Sequence, residues 1–270
     1  MSGMITLCTD FGTRDGYVAA MKGVILTIAP ETDLIDISHG IAPQNVHEGA
    51  WVLATAYRFF PHGTVHLAVV DPGVGTDRRP IVVRTAHHIF VAPDNGLLSH
   101  ALRREEVLEA VMPDRPEYWH NGKISHTFHG RDLFAPVAAH LARGIPLTDI
   151  GSPAGDLVTL DRDEPYVAPD GGIVGHIIHI DHFGNAISNI PAELLPDHRV
   201  YVHVAGHGVG PLRRAYGEAA PGHPLALIGS HDYLEIATRE GDAARTLGLA
   251  IGDEVRIIRR MLERRNAVDA

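Results

Sequence analysis

The stretch Val69–Arg79 reads VVDPGVGTDRR, and it joins one apolar segment, Thr64–Val70, to the next, Ile81–Val83. The first segment predicts a buried strand, and the proline and glycines that follow predict a tight turn at its end. Ligands of open α/β sheets bind outside the carboxyl ends of the strands. Asp71 and Arg78 leave such an end together, so this turn is the first place to look for chemistry. A surface turn with an exposed ion pair is the structural alternative.

Apolar segments on both sides of this turn alternate with segments of helical periodicity. The predicted strands are Met4–Thr9, Leu34–Ile37, Thr64–Val70, Ile81–Arg84, Ile89–Ala92 and Leu108–Val111. The predicted helices are Gly16–Ala29, Val46–Phe60 and Arg131–Arg143. Strands that alternate with helices of this length indicate crossover connections and a mostly parallel sheet. The first half of the chain is therefore predicted to be α/β.

The pattern changes in the second half of the chain. Ile145–Gly172 is rich in proline, glycine and aspartate and predicts a long linker. Short apolar segments separated by turns follow it, which predicts a small β barrel or sandwich. These segments are Ile173–Ile180, Ala186–Asn189, Val200–Val204, Leu225–Ile228, Leu234–Ala237 and Glu254–Ile258. We place the N-terminal α/β domain at residues 1–165 and the C-terminal β domain at residues 166–270.

Charge and composition exclude several classes of protein. A formal net charge of -10 over 270 residues argues against a large nucleic-acid-binding surface, which needs clustered lysine and arginine. Cys8 is the only cysteine, so no disulfide can form within the chain, and an intracellular setting fits. No apolar run reaches the roughly 18 residues of a membrane span, and no signal core opens the chain. We expect a cytoplasmic protein that binds neither nucleic acid nor membrane.

Two further polar motifs lie next to predicted elements, TDFGTRDG after the first strand and TFHGRD before the last helix. Asp10 and His129 could therefore meet Asp71 and Arg78 at one edge of the sheet. An acid, a guanidinium and an imidazole can orient a water molecule, and histidine exchanges protons near neutral pH. A loop or capping histidine is the alternative for His129. The common phosphate-binding and serine-nucleophile motifs are missing, so neither kind of site is predicted.

Polar residues of the second half suggest a binding site. IDHFGNAISN sets Asp181, Phe183 and Asn185 around a glycine turn, and Ser230 lies in the turn before YLEIA. An acid, an aromatic ring and an amide suit a ligand with an amine and a heteroaromatic base, although each motif alone also fits an ordinary hairpin. The histidines of HIIHIDH are divided between the two faces of a strand, so their spacing predicts no metal site.

Six motifs follow one another over nearly the whole chain: TDFG, VVDPGVGT-x-RR, APDNGLL, TFHGRD-x-FAP, ID-x-FGN and YLEIA-x-x-x-G. In this order they resemble the S-adenosyl-L-methionine hydrolases, also called SAM hydroxide adenosyltransferases, which are relatives of the bacterial fluorinase and chlorinase. The resemblance implies a Rossmann-like N-terminal domain and a C-terminal β barrel. It also implies a homotrimer whose active sites lie between neighbouring subunits.

The reaction that the resemblance implies is attack of water or hydroxide on C5′ of the ribose, which releases adenosine and L-methionine. By the same resemblance, the residues that handle the water are Asp71, Arg78 and His129. The residues that bind the substrate are Asp10 at the ribose and, for the adenine and methionine moieties, Asp181, Phe183, Asn185, Ser230 and Tyr216. A sulfonium is already a good leaving group, so the enzyme has only to align and partly desolvate the nucleophile. No cofactor or metal is expected.

Two alternatives remain beside hydrolysis: halogenation on the same fold, and non-catalytic sensing of S-adenosyl-L-methionine. The related halogenases carry a tyrosine where Asp71 stands and lack the histidine at His129. An anionic Asp71 would repel a halide, and a sensor would not need a water-orienting set, so hydrolysis is the prediction. The chain departs from its relatives in one turn, where GSHD at Gly229–Asp232 replaces N-S-x-G. Because the resemblance implies that this turn contacts the methionine moiety, we expect the departure to alter how the methionine carboxylate is bound.

Overall fold

The computed structural model describes residues 3–161, 164–195 and 200–259. Its contacts divide the chain into two compact units, Met1–Asp161 and Arg162–Ala270. The division lies close to the domain boundary that we placed between residues 165 and 166. The precise boundary between the domains stays a prediction.

The first unit is built on one sheet. Its strands are β1 Met4–Thr9, β2 Asp33–Ser38, β3 Val65–Val69, β4 Pro80–Thr85, β5 Ile89–Pro93, β6 Val107–Met112 and β7 Ser152–Pro153, in the order β2-β1-β3-β5-β4-β6-β7. Strands β2, β1, β3 and β5 are parallel, which confirms the predicted α/β class. Strands β4, β6 and β7 join antiparallel. The connection from β4 to β5 is too short for a crossover, so these two strands form a hairpin.

Helices cover both faces of this sheet. They are α1 Tyr17–Ile28, α2 Val46–Ala56, α3 Ser99–Leu102, α4 Ala135–Ala142 and α5 Leu147–Ile150. Alternate residues of the β3 segment face opposite ways: Val65, Leu67 and Val69 pack in one apolar cluster with α1 and α4, while Ala68 and Val70 pack in another with α2 and α3. A sheet buried on both faces gives nearly continuous apolar strands, and β3 is apolar except at the buried His66.

Two segments of the structure differ from the prediction made from the sequence. The helix predicted over Arg131–Arg143 begins with one π-helical turn, Gly130–Phe134, before α4. The long linker predicted over Ile145–Gly172 is wrong in part, because it contains α5, β7 and a two-residue strand, Tyr166–Val167. Elements this short carry no periodicity that a sequence pattern can detect.

The second unit is a β barrel. Its strands are β8 Tyr166–Val167, β9 Ile173–Ile180, β10 Ala186–Pro191, β11 Val200–Val204, β12 His207–Arg213, β13 Pro224–Ile228, β14 Tyr233–Thr238 and β15 Glu254–Arg259, and its helix is α6 Ala243–Leu247. Pairing runs β10-β14-β13-β12-β11-β15-β9-β8, and β9 also pairs with β10, so the barrel closes. Of the two architectures predicted for this half, the barrel is confirmed. Strand β12 was not predicted, because its glycines and proline disfavour a strand.

Within the residues that the structure describes, no helix has both the length and the apolar character needed to cross a membrane.

Candidate active site

Asp71, Arg78 and His129 form one hydrogen-bonded cluster beyond the carboxyl end of β3. The Arg78 guanidinium donates from Nε to Asp71 Oδ1 at 2.8 Å and from Nη2 to Asp71 Oδ2, and Nη2 also donates to His129 Nδ1 at 2.8 Å. A guanidinium carries its donors in a rigid planar fork, so it can hold a carboxylate with two bonds and still reach a neighbour. The three side chains singled out in the sequence therefore meet in the structure.

The turn between β3 and β4 brings Asp71 back to Arg78. Gly75 within it has a φ of +79°, and a Cβ at this position would collide with the carbonyl oxygen of His126. Only glycine combines a left-handed backbone with so close an approach. The Thr76 hydroxyl fixes the turn further by donating to a backbone carbonyl at 2.7 Å.

The ion pair in this cluster is shielded from water. The side chains of Arg78 and Asp71 are only 9% and 5% exposed. The Arg78 guanidinium also lies over the ring of Phe134, 5.2 Å from its centroid, in a cation–π contact. Burying two charges is costly unless hydrogen bonds satisfy them, and here Nε and Nη2 of Arg78 make such bonds. Nη1 of Arg78 is buried without a hydrogen-bond partner among the described residues. The alternative of a surface turn with an exposed ion pair is therefore wrong for Asp71 and Arg78.

The imidazole of His129 is held neutral. Burial lowers its pKa below the ordinary value, and the positive charge of Arg78 lowers it further, against the opposing effects of Asp71 and Asp132. A guanidinium can only donate, so Nδ1 of His129 accepts and the ring proton of the neutral imidazole resides on Nε2. His129 thus offers an N–H donor on the side away from Arg78.

A π-helical turn begins directly after His129. Its first residue, Gly130, is so closely packed that a Cβ would lie 3.1 Å from the rings of Phe11 and Phe128. Such turns are uncommon and occur frequently at functional sites. The absence of a side chain at Gly130 lets this turn pack tightly against the aromatic rings.

Asp10 lies at the same edge of the sheet as the cluster. It follows β1, and Thr9 of β1 pairs with Val69 of β3, the neighbouring parallel strand. Asp10 Oδ2 accepts a hydrogen bond from the backbone N–H of Gln44 at 2.7 Å. Its carboxylate is thereby fixed to a second loop of the same edge.

In the second unit, Asp181 organises the turn after β9. Its Oδ1 accepts from the backbone N–H groups of Phe183 and Asn185, both at 2.9 Å, and its Oδ2 accepts from Asn185 Nδ2 at 3.0 Å. Phe183 is 72% exposed. One turn therefore presents an acid, an amide and an open aromatic face.

Tyr216 belongs to the same unit, and a buried carboxylate fixes its hydroxyl group. Its hydroxyl donates to Glu235 Oε1 at 2.6 Å, and Glu235 is buried while Tyr216 is half exposed. Burial raises the pKa of the Glu235 carboxyl and of the Tyr216 phenol, and the charge of Asp181 acts in the same direction on both. The charge of Asp181 therefore acts on both Tyr216 and Glu235. Ser230, the remaining predicted residue of this unit, is exposed in the turn before β14.

Comparison with known proteins places the chain in a family. Residues 5–151 match the model of the SAM hydroxide adenosyltransferase N-terminal domain, and residues 175–256 match the model of the C-terminal domain. The chain belongs to the SAM hydroxide adenosyltransferase family. It is 39% identical over 263 residues to the (R)-S-adenosyl-L-methionine hydrolase of Salinispora tropica, which covers 94% of this chain and 97% of that relative.

Two further proteins are similar to this chain. A fluorinase from Nocardia brasiliensis is 30% identical over 303 residues, with 94% of this chain and 96% of the fluorinase covered. The crystal structure of an uncharacterized conserved protein from Thermotoga maritima matches with a TM-score of 0.88 at 38% identity, over 95% of this chain and 100% of that one. The family resemblance deduced from the motifs is therefore confirmed.

Two polar residues of this chain were not among the predicted site residues. Asn95 donates from Nδ2 to the carbonyl of Val70, directly before Asp71, at 2.9 Å. Glu235 holds the Tyr216 hydroxyl. Both stand in motifs that carry the resemblance, APDNGLL and YLEIA, but a single polar residue in a turn or strand does not reveal its partner. The roles of the predicted site residues stay predictions.

The histidine-rich stretch HIIHIDH does not lie wholly on a strand. Strand β9 ends at Ile180, so Asp181 and His182 belong to the turn that follows. Among the residues described, no three or more His, Cys, Asp or Glu side chains are grouped so as to hold a metal ion. That the protein needs no metal stays a prediction.

Proposed function

We propose that this protein hydrolyses S-adenosyl-L-methionine to adenosine and L-methionine by attack of water or hydroxide on C5′ of the ribose. The observation that carries the proposal is the buried cluster of Asp71, Arg78 and His129 in a chain that belongs to the SAM hydroxide adenosyltransferase family. An enzyme of this type is also what the name of the Salinispora tropica relative describes.

The cluster has the groups needed to orient one water molecule. Arg78 occupies both oxygens of Asp71 and Nδ1 of His129, which leaves the Nε2–H of His129 as a free donor direction and the remaining lone pairs of Asp71 as acceptors. A water molecule that accepts from His129 and donates to Asp71 has its own lone pair aimed in a fixed direction. In this arrangement neutral His129 orients the nucleophile, and Asp71 is the group placed to receive its proton.

Protonation of His129 would destroy this arrangement. A doubly protonated ring has no acceptor for the Arg78 guanidinium, and two positive charges would then face each other. We therefore expect the rate to fall as the pH drops through the pKa of His129, which lies below the ordinary histidine value. A rate that stays constant while NMR of labelled histidines shows His129 becoming protonated would contradict this role.

The leaving group needs no assistance from the protein. The sulfonium departs as a neutral thioether, so neither an acid nor a metal has to stabilise a developing negative charge there. We accordingly propose that the enzyme uses no metal or cofactor. Dialysis against a chelator should leave the rate unchanged, and restoration of a lost rate by an added cation would refute this.

Halogenation is disfavoured by the charge of Asp71. The carboxylate lies in the ion pair with Arg78, and its side chain is 5% exposed, so a halide arriving there would meet a fixed negative charge in a poorly solvated place. The fluorinase relative shows that the family fold admits that chemistry elsewhere. Water, which is neutral and donates hydrogen bonds, suits this carboxylate better.

Substrate binding is proposed for the polar groups around the two described turns and the sheet edge. We assign the ribose to Asp10 and the adenine and methionine moieties to Asp181, Phe183, Asn185, Ser230 and Tyr216. Exposed rings anchored at one end, such as Tyr216, suit stacking against a heteroaromatic base. A carboxylate such as Asp181 suits the ammonium group.

The configuration at sulfur is part of the proposal. The relatives are named for the R form of S-adenosyl-L-methionine, and we propose that this chain prefers the same epimer. The two epimers exchange the positions of the methyl group and the methionine chain, so a site that grips the methionine chain can align only one of them with the nucleophile.

In the decisive experiment, the protein is incubated with each epimer of S-adenosyl-L-methionine separately, with and without chloride or fluoride. The products are identified by chromatography and mass spectrometry. We expect adenosine and methionine, faster from the R epimer and insensitive to halide, and no product from Asp71→Ala. A 5′-halo-5′-deoxyadenosine would establish the halogenase alternative. Tight binding without any product would establish the sensor.

We further propose that the protein is a cytoplasmic homotrimer in which two chains contribute to each active site. The support is the family resemblance, together with binding groups carried by different units of the chain. Light scattering should give three times the chain mass, and a variant that is monomeric should lose activity. A fully active monomer would refute the shared site.

A further inference from the structure

The loop that carries both Asp71 and Arg78 is held at its two ends by one neighbouring turn. Asn95 Nδ2 donates to the carbonyl of Val70, the residue before Asp71, at 2.9 Å. The backbone N–H of Asp94 donates to the carbonyl of Arg79, the residue after Arg78, at 2.8 Å. Adjacent residues therefore fix the entry and the exit of the loop.

This turn is itself anchored, so it can serve as a fixed point. The carboxylate of Asp94 pairs with the Arg79 guanidinium and accepts from the backbone N–H of Val158 at 2.8 Å. Asn95 Oδ1 accepts from the N–H of Leu97 at 3.2 Å. The amide of Asn95 thus donates and accepts at once, which no carboxylate of the same size can do at neutral pH.

Side-chain contacts also hold the loop near its exit, where Arg78 contacts His129 and Phe134 and Arg79 donates to the carbonyl of Asp156. The internal hydrogen bonds of the loop close turns within it, and Gly75 packs against the backbone of residue 126. The carbonyl of Val70 lies in a residue with no exposed surface, so without Asn95 it would lose its partner in a place that water does not reach. The backbone there would shift to recover one, and Asp71 follows directly.

We propose that Asn95 is a positioning residue for hydrolysis, which holds the Val70 carbonyl and so keeps the Asp71 carboxylate aligned with Arg78 and His129. The inference rests on the proposed function of that cluster. A displacement of about 1 Å in a reacting group can cost about a hundredfold in rate, so a loosened loop should lower kcat strongly. KM should change little, because Asn95 is not among the groups assigned to the substrate.

The test compares Asn95→Asp, which keeps the size and the acceptor but removes the donor, with Ser99→Ala. Ser99 accepts from the N–H of Leu160 at 2.8 Å and is buried beside the same turn, but that hydrogen bond does not reach the loop of Asp71. We expect kcat of Asn95→Asp to fall about tenfold or more with KM within about twofold, and Ser99→Ala to lose stability without losing kcat. Asn95→Ala replaces Asn95→Asp if the latter does not fold.

A second readout needs no substrate. His129 is surrounded by Arg78, Asp71, Asp132 and His126, and Arg78 is the strongest of these influences. Because Arg78 lowers the pKa of His129 and Asp71 raises it, displacement of the loop that carries both should change that pKa, as followed by NMR of labelled histidines, whereas Ser99→Ala should leave it in place.

The outcomes separate the inference from the function on which it rests. Unchanged kcat and unchanged His129 titration in Asn95→Asp would overturn the positioning role, as would an equal loss of kcat in Ser99→Ala. If the wild-type protein forms no adenosine, the proposed function fails, and the His129 titration alone then decides whether Asn95 sets the geometry of the cluster.

Discussion

Replacing Arg78 by methionine should destabilise the protein far more than the same replacement at Arg84. Both arginines pair with a carboxylate, but the side chains of the Arg84–Glu109 pair are 46% and 25% exposed, against 9% and 5% for Arg78 and Asp71. Exposed pairs contribute about 0–1 kcal/mol. Removal of one partner from a buried pair costs about 3–5 kcal/mol, because the other charge remains without compensation.

The structure adds specific losses at Arg78. Methionine would keep the contact with Phe134 in part, but it would remove both hydrogen bonds to Asp71 and the one to His129. We therefore expect the free energy of unfolding to fall by about 3–5 kcal/mol in Arg78→Met and by less than about 1 kcal/mol in Arg84→Met. Hydrolysis should be lost in the first variant and retained in the second.

Urea unfolding followed by circular dichroism measures the difference, with product formation measured on the same samples. The double variant Asp71→Asn, Arg78→Met provides the sharper comparison, because it removes the stranded carboxylate and should be more stable than Arg78→Met alone. Equal losses for Arg78→Met and Arg84→Met would refute the buried character of the pair. A double variant less stable than the single one would refute the explanation by uncompensated charge.

Two other predictions concern the first unit. Burial lowers the pKa of His66 to about 3, so its contribution to stability is fully present above the unfolded pKa of about 6.5 and is lost as the pH falls from there toward about 3, because only the unfolded chain takes up the proton in that range. In His66→Phe the free energy of unfolding should therefore fall less steeply between pH 7 and pH 5 than in the wild type. The contribution of one histidine to this slope is at most about 1.4 kcal/mol per pH unit. A slope equal to that of the wild type would contradict the prediction. Gly75→Ala should lower both the free energy of unfolding and kcat more than Gly63→Ala does. Both glycines have a positive φ, but only at Gly75 would a Cβ collide with the backbone of His126. Equal losses in the two variants, measured by urea unfolding and by product formation, would argue against that contact.

Long, strongly patterned segments made the fold predictable. The β3 segment is apolar except at His66 because both of its faces are buried, and α1 shows its buried side in the spacing of Val18, Met21 and Val24. The antiparallel half of the sheet was not predictable in the same way, since β4 looks like any apolar strand and only the short connection to β5 reveals its direction. The glycines and proline of β12 concealed a strand that is held by pairing on both sides.

The candidate site was predictable where chemistry and position coincide in the sequence. Asp71 and Arg78 stand in one turn at a strand end, and His129 was added through the motif TFHGRD; all three meet in the structure. Asn95 could not be found in this way, because its partner is a backbone carbonyl distant in sequence and any residue supplies one. The proton location on His129 also needed coordinates, since it follows from which nitrogen faces Arg78.

The departure from N-S-x-G at the second unit has a structural reason. Asp232 has a φ of +64°, a conformation that glycine adopts freely and aspartate tolerates better than most residues, so the turn survives the replacement. A Cβ at Gly229 would lie 2.5 Å from Glu235 Oε2, so the missing side chain makes room for that buried carboxylate against Tyr216. With the carboxylate of Asp181 close to the same pair, we expect this end of the unit to bind the ammonium group of an amino acid better than its carboxylate. Glu235→Gln should therefore raise KM for S-adenosyl-L-methionine and leave kcat nearly unchanged, and a KM equal to that of the wild type would show that Glu235 serves the barrel alone.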